Sequence, residues 1–191
     1  MPLTTIPLPY GLRDLKITPY TDLTRTVLAG SSIDLPNAQT FTFTETEDYE
    51  DLRGDDQLQT SHGKGPVLNW DIESGGLSFE AYAGIAGGTV GTTGVTPNQI
   101  KTYSKDTVGT TGVRPFFKME GQAFSDSGGD VHTVVYACRA TGDIKGEFKD
   151  GAFMIPATSG KGFGSKLLSG PPVNRLYDFV QNENPAGIAI P

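Results

Sequence analysis

The sequence predicts a mostly β protein, a two-sheet antiparallel β-sandwich or barrel with one short packed helix. Three observations carry this. Short alternating or β-branched runs recur along the chain, each bounded by Gly, Pro, Asn or Asp. Glycine (25) and proline (13) are plentiful in 191 residues, which supplies many turns. Helical spacing is convincing in one place only, between Gly75-Gly76 and Gly87-Gly88. The length suits one domain spanning residues 1–191.

Residues 1–20 read as an extended N-terminal arm punctuated by Pro2, Pro7, Pro9 and Pro19, with room for one short strand at 12–17. Thr40-Phe41-Thr42-Phe43-Thr44 alternates polar and aromatic residues, the pattern of a half-buried strand. The alternation continues through Glu45-Thr46-Glu47, with acids taking the place of the phenylalanines on one face. A face that begins as core and turns acidic has left the core for water. Residues 45–64 are therefore expected to form a projecting acidic hairpin or loop, turning at Gly54-Asp55. Strands are expected at 58–61 and 67–72, with a turn at Gly63-Lys64-Gly65-Pro66 between them.

The helix follows, with Leu77, Ala81, Gly84 and Ile85 at the spacing of one stripe and Phe79, Tyr82 and Ala83 widening it. About three turns are expected, lying on a sheet. Then Thr89-Val90-Gly91-Thr92-Thr93-Gly94-Val95 recurs as Thr107-Val108-Gly109-Thr110-Thr111-Gly112-Val113. Two copies are too few for a solenoid. They read as two similar loops flanking a strand at 99–105.

Strands at 116–124 and 131–140 are joined by the turn Asp126-Ser127-Gly128-Gly129-Asp130. After a break at Gly142, a hairpin is expected at 144–148 and 152–155 around Asp150-Gly151. Residues 156–172, rich in Gly, Ser, Lys and Pro, read as a loop, 173–180 as the last strand, and 182–191 as a C-terminal arm.

Charge narrows the function classes. The chain has 15 Lys plus Arg against 22 Asp plus Glu, a net −7. Residues 45–56 alone hold seven acids against one base, Arg53. Such a surface repels phosphate, and no basic stripe marks a nucleic-acid grip. The lone Cys138, in an apolar run, is expected to be a buried thiol and excludes an intrachain disulfide or a cysteine zinc site. No basic-then-apolar leader and no run long enough to span a membrane is present, so a soluble compartment is expected.

Four motifs invite chemistry. Ser125-Asp126-Ser127-Gly128-Gly129-Asp130 is near the glycine-rich surroundings of a trypsin-like nucleophile, with His62 and His132 as the only possible bases. The flanking Gly and Pro of the protease motif are missing, and turn residues account for the segment fully. Arg53-Gly54-Asp55 spells an adhesion tripeptide that any charged turn can produce. The acids of 45–56 lack the spacing of a calcium loop. Ser159-Gly160-Lys161-Gly162-Phe163-Gly164-Ser165-Lys166 lacks the spacing of a phosphate cradle and reads as a mobile loop. With two histidines and one cysteine, the parts for catalysis are few. The expectation is a non-enzymatic protein without catalytic residues, cofactor or metal.

Several phrases of the chain resemble the major tail tube proteins of long-tailed siphophages, especially those infecting actinobacteria. They are Asp34-Leu35-Pro36-Asn37-Ala38, the run from Phe41 to Asp56, and Gly65-Pro66-Val67 through Trp70. Gly75-Gly76-Leu77-Ser78-Phe79-Glu80-Ala81-Tyr82, Pro97-Asn98-Gln99 and Pro115-Phe116-Phe117-Lys118 follow. Asp126 to Asp130 and Leu176-Tyr177-Asp178-Phe179-Val180-Gln181-Asn182-Glu183 complete the likeness, which spans nearly the whole chain. The doubled Thr-Val-Gly-Thr-Thr-Gly-Val segment departs from it.

The resemblance implies the tail tube fold, a virion location after synthesis in the host cytoplasm, and homo-hexameric rings stacked into a tube. It also implies a tape measure protein, a tail terminator and a distal tail protein as partners, and non-specific passage of DNA through the lumen, with no membrane role. The residues point the same way, since long arms and a projecting strand pair suit heterologous contacts between copies. Glu45, Glu47, Glu50 and Asp51 are the candidate lumen-facing acids, whose charge would keep DNA from adhering. The alternatives are another self-assembling virion protein, such as a capsid decoration protein or the terminator itself, and a receptor- or glycan-binding β-sandwich. The last wants exposed aromatic clusters, whereas the one tryptophan, Trp70, lies in an alternating strand.

Overall fold

The computed structural model describes residues 6–54, 56–76, 78–109, 112–145, 149–151, 156–170 and 173–188. In chain order the elements are β1 (Pro9–Pro19), β2 (Ile33–Asp34), β3 (Ala38–Gly54), β4 (Gln57–Ser74), α1 (Phe79–Ala86), β5 (Thr89–Thr93), β6 (Ile100–Ser104), β7 (Phe117–Ser125), β8 (Asp130–Lys145), β9 (Ala157–Phe163) and β10 (Tyr177–Asn182). All pairings are antiparallel.

One sheet runs β2-β1-β7-β8-β9-β4-β3, with β10 also on β8. The 16-residue β8 organises it. Its first part, Asp130 to Val135, pairs with both β7 and β10. Its later part, Ala137 to Lys145, pairs with β9. The sheet folds across this shared strand, so that its two halves face each other as the layers of a sandwich. Trp70 of β4 meets Phe117 of β7 edge-on at 5.5 Å. Phe43 of β3 meets Tyr177 and Phe179 of β10 at 5.7 and 5.5 Å. Leu15, Ile17, Leu68, Met119, Val135 and Cys138 fill the space between and are fully buried. The expected mostly β sandwich with one short helix is the observed class.

Several local expectations change. The N-terminal arm is shorter than residues 1–20, because β1 takes 9–19 into the sheet with Leu15 and Ile17 facing the core. Pro9 and Pro19 stand at its two ends, where a missing N–H costs the ladder least. The turn expected at Gly63-Lys64-Gly65-Pro66 is a bulge within one 18-residue strand, where the register passes from Glu47↔Pro66 to Tyr49↔Gly63. Gly142 does not break β8, which crosses a register shift between Ala140 and Ile144.

The largest correction is β9. The glycine-rich run read as a mobile loop is a strand laid between β8 and β4. Its glycines follow from its neighbours. A Cβ at Gly160 would collide with the Arg139 carbonyl and the Trp70 ring, and one at Gly162 with the Leu68 side chain. Large side chains of β4 occupy the volume that β9 leaves empty.

The helix is two turns rather than three. Ser78 caps it, its Oγ accepting from the Ala81 N–H at 3.2 Å, and Gly87 ends it at φ 77°. Leu77, expected on its stripe, lies outside the described residues. Gly84 brings the helix onto the sheet: a Cβ there would stand 3.1 Å from Ile17 Cδ1 and 3.3 Å from Ile33 Cδ1.

The two copies of the repeat do not form similar loops. Thr89 to Thr93 of the first is a strand paired with β6 in a separate two-stranded sheet. The described part of the second, 107–109 and 112–113, is irregular, with Gly109 at φ 82°. The last strand is Tyr177–Asn182, later than expected, and the hairpin arm proposed at 152–155 lies outside the described residues.

Candidate functional site

β3 and β4 pair from Ala38↔Ser74 to Gly54↔Gln57, but β9 flanks β4 only from Leu68 to Glu73. Residues 46–54 and 57–67 therefore leave the body as a two-stranded ribbon. At 3.3 Å per residue it extends roughly 30 Å. Among the described residues no strand pairs with either outer edge of this stretch. The expected projecting hairpin at 45–64 is thus a regular ribbon that starts near Thr46 and turns between Gly54 and Gln57. Asp55, expected in the turn, lies outside the described residues, and with it the third residue of Arg53-Gly54-Asp55.

The four candidate acids divide by face and by partner. Strand alternation puts Glu45, Glu47 and Asp51 on the face that carries Phe41 and Phe43 nearer the body, and Glu50 on the opposite face. A hydrogen bond from the Tyr177 hydroxyl to Glu45 raises that phenol above its ordinary value. Glu47 accepts from the Tyr49 hydroxyl at 3.0 Å and from the Gly65 N–H at 3.1 Å. The bond to Glu47 raises the Tyr49 phenol. Glu50 meets Lys64 at 3.5 Å with both side chains largely in water, a weak pair. Asp51 is exposed opposite Ser61. The structure does not bring the four acids together. It ties Glu45 to the body, builds Glu47 into the bulge, and leaves Glu50 and Asp51 to solvent.

The roles of Tyr49, Gly65 and Tyr177 in holding these acids were not read from sequence. A signal for two of them was present: a glycine pair opposite a Glu-x-Tyr triplet marks a bulge capped by a carboxylate. Tyr177 joins Glu45 across more than a hundred residues and has no local signature.

A second cluster clamps the C-terminal segment. The fully buried Asp130 carboxylate accepts from Gln122 Nε2 (2.5 Å), Asn182 Nδ2 (2.8 Å) and the Ala186 N–H (2.9 Å). Burial alone would raise its pKa, but the bonds from Ala186, Gln122, Asn182 and His132 outweigh it and hold the group at about 2. His132 places Nε2 at 3.0 Å from Asp130 and Nδ1 at 3.3 Å from Glu120. Lys118 Nζ lies 3.3 Å from Glu120. The C-terminal arm expected at 182–191 is, through Ile188, docked on its own chain.

A third cluster stacks charge on aromatic faces. Arg25 lies 5.0 Å over Phe116 and 5.3 Å over Phe163, and Arg139 lies 5.0 Å over Phe116.

The Ser125-to-Asp130 motif is a turn, closed by Gly128 N–H to Ser125 O at 3.0 Å. The Ser127 hydroxyl donates to the Ile6 carbonyl, and both nitrogens of His132 are engaged elsewhere. Cys138 is buried, which pushes its thiol well up. Among the described residues no three His, Cys, Asp or Glu side chains are placed to hold a metal ion. No helix among them is long and apolar enough to cross a membrane. No protein-family model and no curated protein matches the chain.

Proposed function

We propose that this chain is a structural subunit that assembles with copies of itself, in homo-hexameric rings stacked into the tail tube of a long-tailed phage. The observation that carries the reading is the ribbon of about 30 Å, on neither edge of which a strand of the described residues pairs. Unpaired backbone of that length is a liability for a monomer and a joint for an oligomer. Pairing with neighbouring ribbons around a ring would satisfy both edges and enclose a channel.

The acid content of the ribbon supports a passage for DNA, since fixed negative charge lowers the residence of phosphate at a wall. In this reading the exposed acids Asp51 and Glu50, the latter weakly paired with Lys64, lie one on each face of the ribbon, and whichever face turns inward brings its acid to the lumen, while Glu45 and Glu47 also hold the ribbon's shape. A virion location, a tape measure protein, a terminator and a distal tail protein belong to the same proposal. The chain is read as non-enzymatic.

Electron microscopy of the full chain at rising concentration tests the reading. Hollow filaments of uniform width are expected, and a chain that stays monomeric throughout overturns it. Particles carrying Glu50→Lys with Asp51→Lys should assemble and release DNA more slowly. Unchanged release would remove these two acids from the channel wall.

A further inference from the structure

The doubled seven-residue segment has one copy in a strand and one outside it, and the register of the first copy tells what the second can do. β5 pairs with β6 as Thr89↔Ser104, Val90↔Tyr103, Gly91↔Thr102, Thr92↔Lys101 and Thr93↔Ile100. The second copy begins at Thr107, three residues after Ser104. Laid antiparallel along the other edge of β6, it would meet Ser104 with Thr107, Tyr103 with Val108 and Thr102 with Gly109. Each of these three residues of β6 would then face the same residue type on both sides. Among the described residues no strand occupies that edge.

We propose that the outer edge of β6 is a docking edge for the start of the second copy, residues 107–109, of a neighbouring chain. The inference rests on the self-assembly reading and names one of its joints. Backbone hydrogen bonds would supply the affinity of an added strand, and the side chains its register. Val108 is 78% exposed here, whereas its counterpart Val90 is half-buried opposite Tyr103. Docking would give Val108 the same neighbour.

A neighbour is favoured over the chain's own segment. A two-residue connection from β6 would consist of Lys105-Asp106, and tight hairpins of that length want glycine or asparagine at positive φ. The chain's own segment is also directed elsewhere. Lys105 Nζ donates to the Ala86 carbonyl at 2.6 Å and to the Gly112 carbonyl at 2.9 Å, and the Gly112 N–H donates to Gly109 O at 3.2 Å.

Two variants of the full chain that each add one exposed cysteine to the buried Cys138, Thr102→Cys and Gly109→Cys, mixed and mildly oxidised, test this. A disulfide-linked heterodimer joined at 102–109 is expected, exceeding either homodimer, and lost when Val108→Pro is added to the Gly109→Cys chain. No excess heterodimer, or a heterodimer that survives Val108→Pro, overturns the proposal. So does a Thr102→Cys/Gly109→Cys double variant that links only within one chain. Filaments without the heterodimer would remove this joint and keep the assembly reading. A heterodimer without filaments would do the reverse.

Discussion

The Glu47 carboxylate fills the volume that a side chain at Gly63 would need. Acid and glycine, sixteen positions apart, are one feature of the ribbon: the bulge opens a gap in β4, and the carboxylate closes it with bonds to Tyr49 and Gly65. Replacing Glu47 with Gln should leave the chain folded and return the Tyr49 phenol toward its ordinary value, read by ultraviolet titration. A Gly63→Val chain should expel the carboxylate and lower the same phenol. An unmoved phenol in both would show that Tyr49 does not feel Glu47.

Trp70 and Gly160 make a second pair of this kind. A methyl group at 160 has no room beside the indole ring and the Arg139 carbonyl. Gly160→Ala should cost about 1–3 kcal/mol, the usual range for overpacking a filled core. Trp70 is the only tryptophan and is fully buried, so its emission reports both the packing and the unfolding transition. The variant should show red-shifted emission and an earlier denaturant midpoint. Native emission and midpoint would mean that β9 can yield.

Arg25 sits at φ 66°, a backbone conformation that costs a side-chain-bearing residue about 1–2 kcal/mol. Its stack on Phe116 and Phe163 contributes in the opposite sense, about 1 kcal/mol. Glycine removes both terms and alanine only the second. Arg25→Gly should therefore be more stable than Arg25→Ala in urea melts. Equal midpoints would argue that the strain is not felt.

Asp130 gives the acid limb of stability. Its pKa is about 2 in the fold against an ordinary 3.8, so its contribution is complete above pH 4 and is lost as pH falls toward 2. Asp130→Asn should lower stability at neutral pH by about 2 kcal/mol, the scale of hydrogen bonds to a charged group. It should also flatten the dependence on pH between 4 and 2. Protease sensitivity near residues 183–188 should rise at the same time, because Ala186 loses a carboxylate partner. A variant with the native acid profile would show that Asp130 does not set it.

The fold class was legible because alternation at Thr40 to Thr44, turn residues and one helical stripe are local signals. The projecting ribbon was legible for the same reason, since a core face turning acidic at Glu45 is visible in a few residues. What escaped was set by partners far along the chain. β9 has the composition of a loop, and only the bulk of Leu68 and Trp70 explains why glycine serves there as a strand residue. The faces and partners of Glu45 and Glu47 depended on Tyr177 and on a bulge at Gly65, so four acids that read as one set divided into two. The two copies of the repeat read alike because they are alike, and their surroundings decide their different conformations.

The shared strand β8 has a mechanical consequence. β10 and β9 lie end to end along one of its edges, so the C-terminal segment and the ribbon are both anchored to the same backbone. A pull along the ribbon's axis loads the β4–β9 and β9–β8 ladders in shear, where all bonds of a ladder stretch together. A sideways pull on its tip opens the β3–β4 ladder one rung at a time. The subunit is stiff in the direction along which its own long strands run and compliant across it.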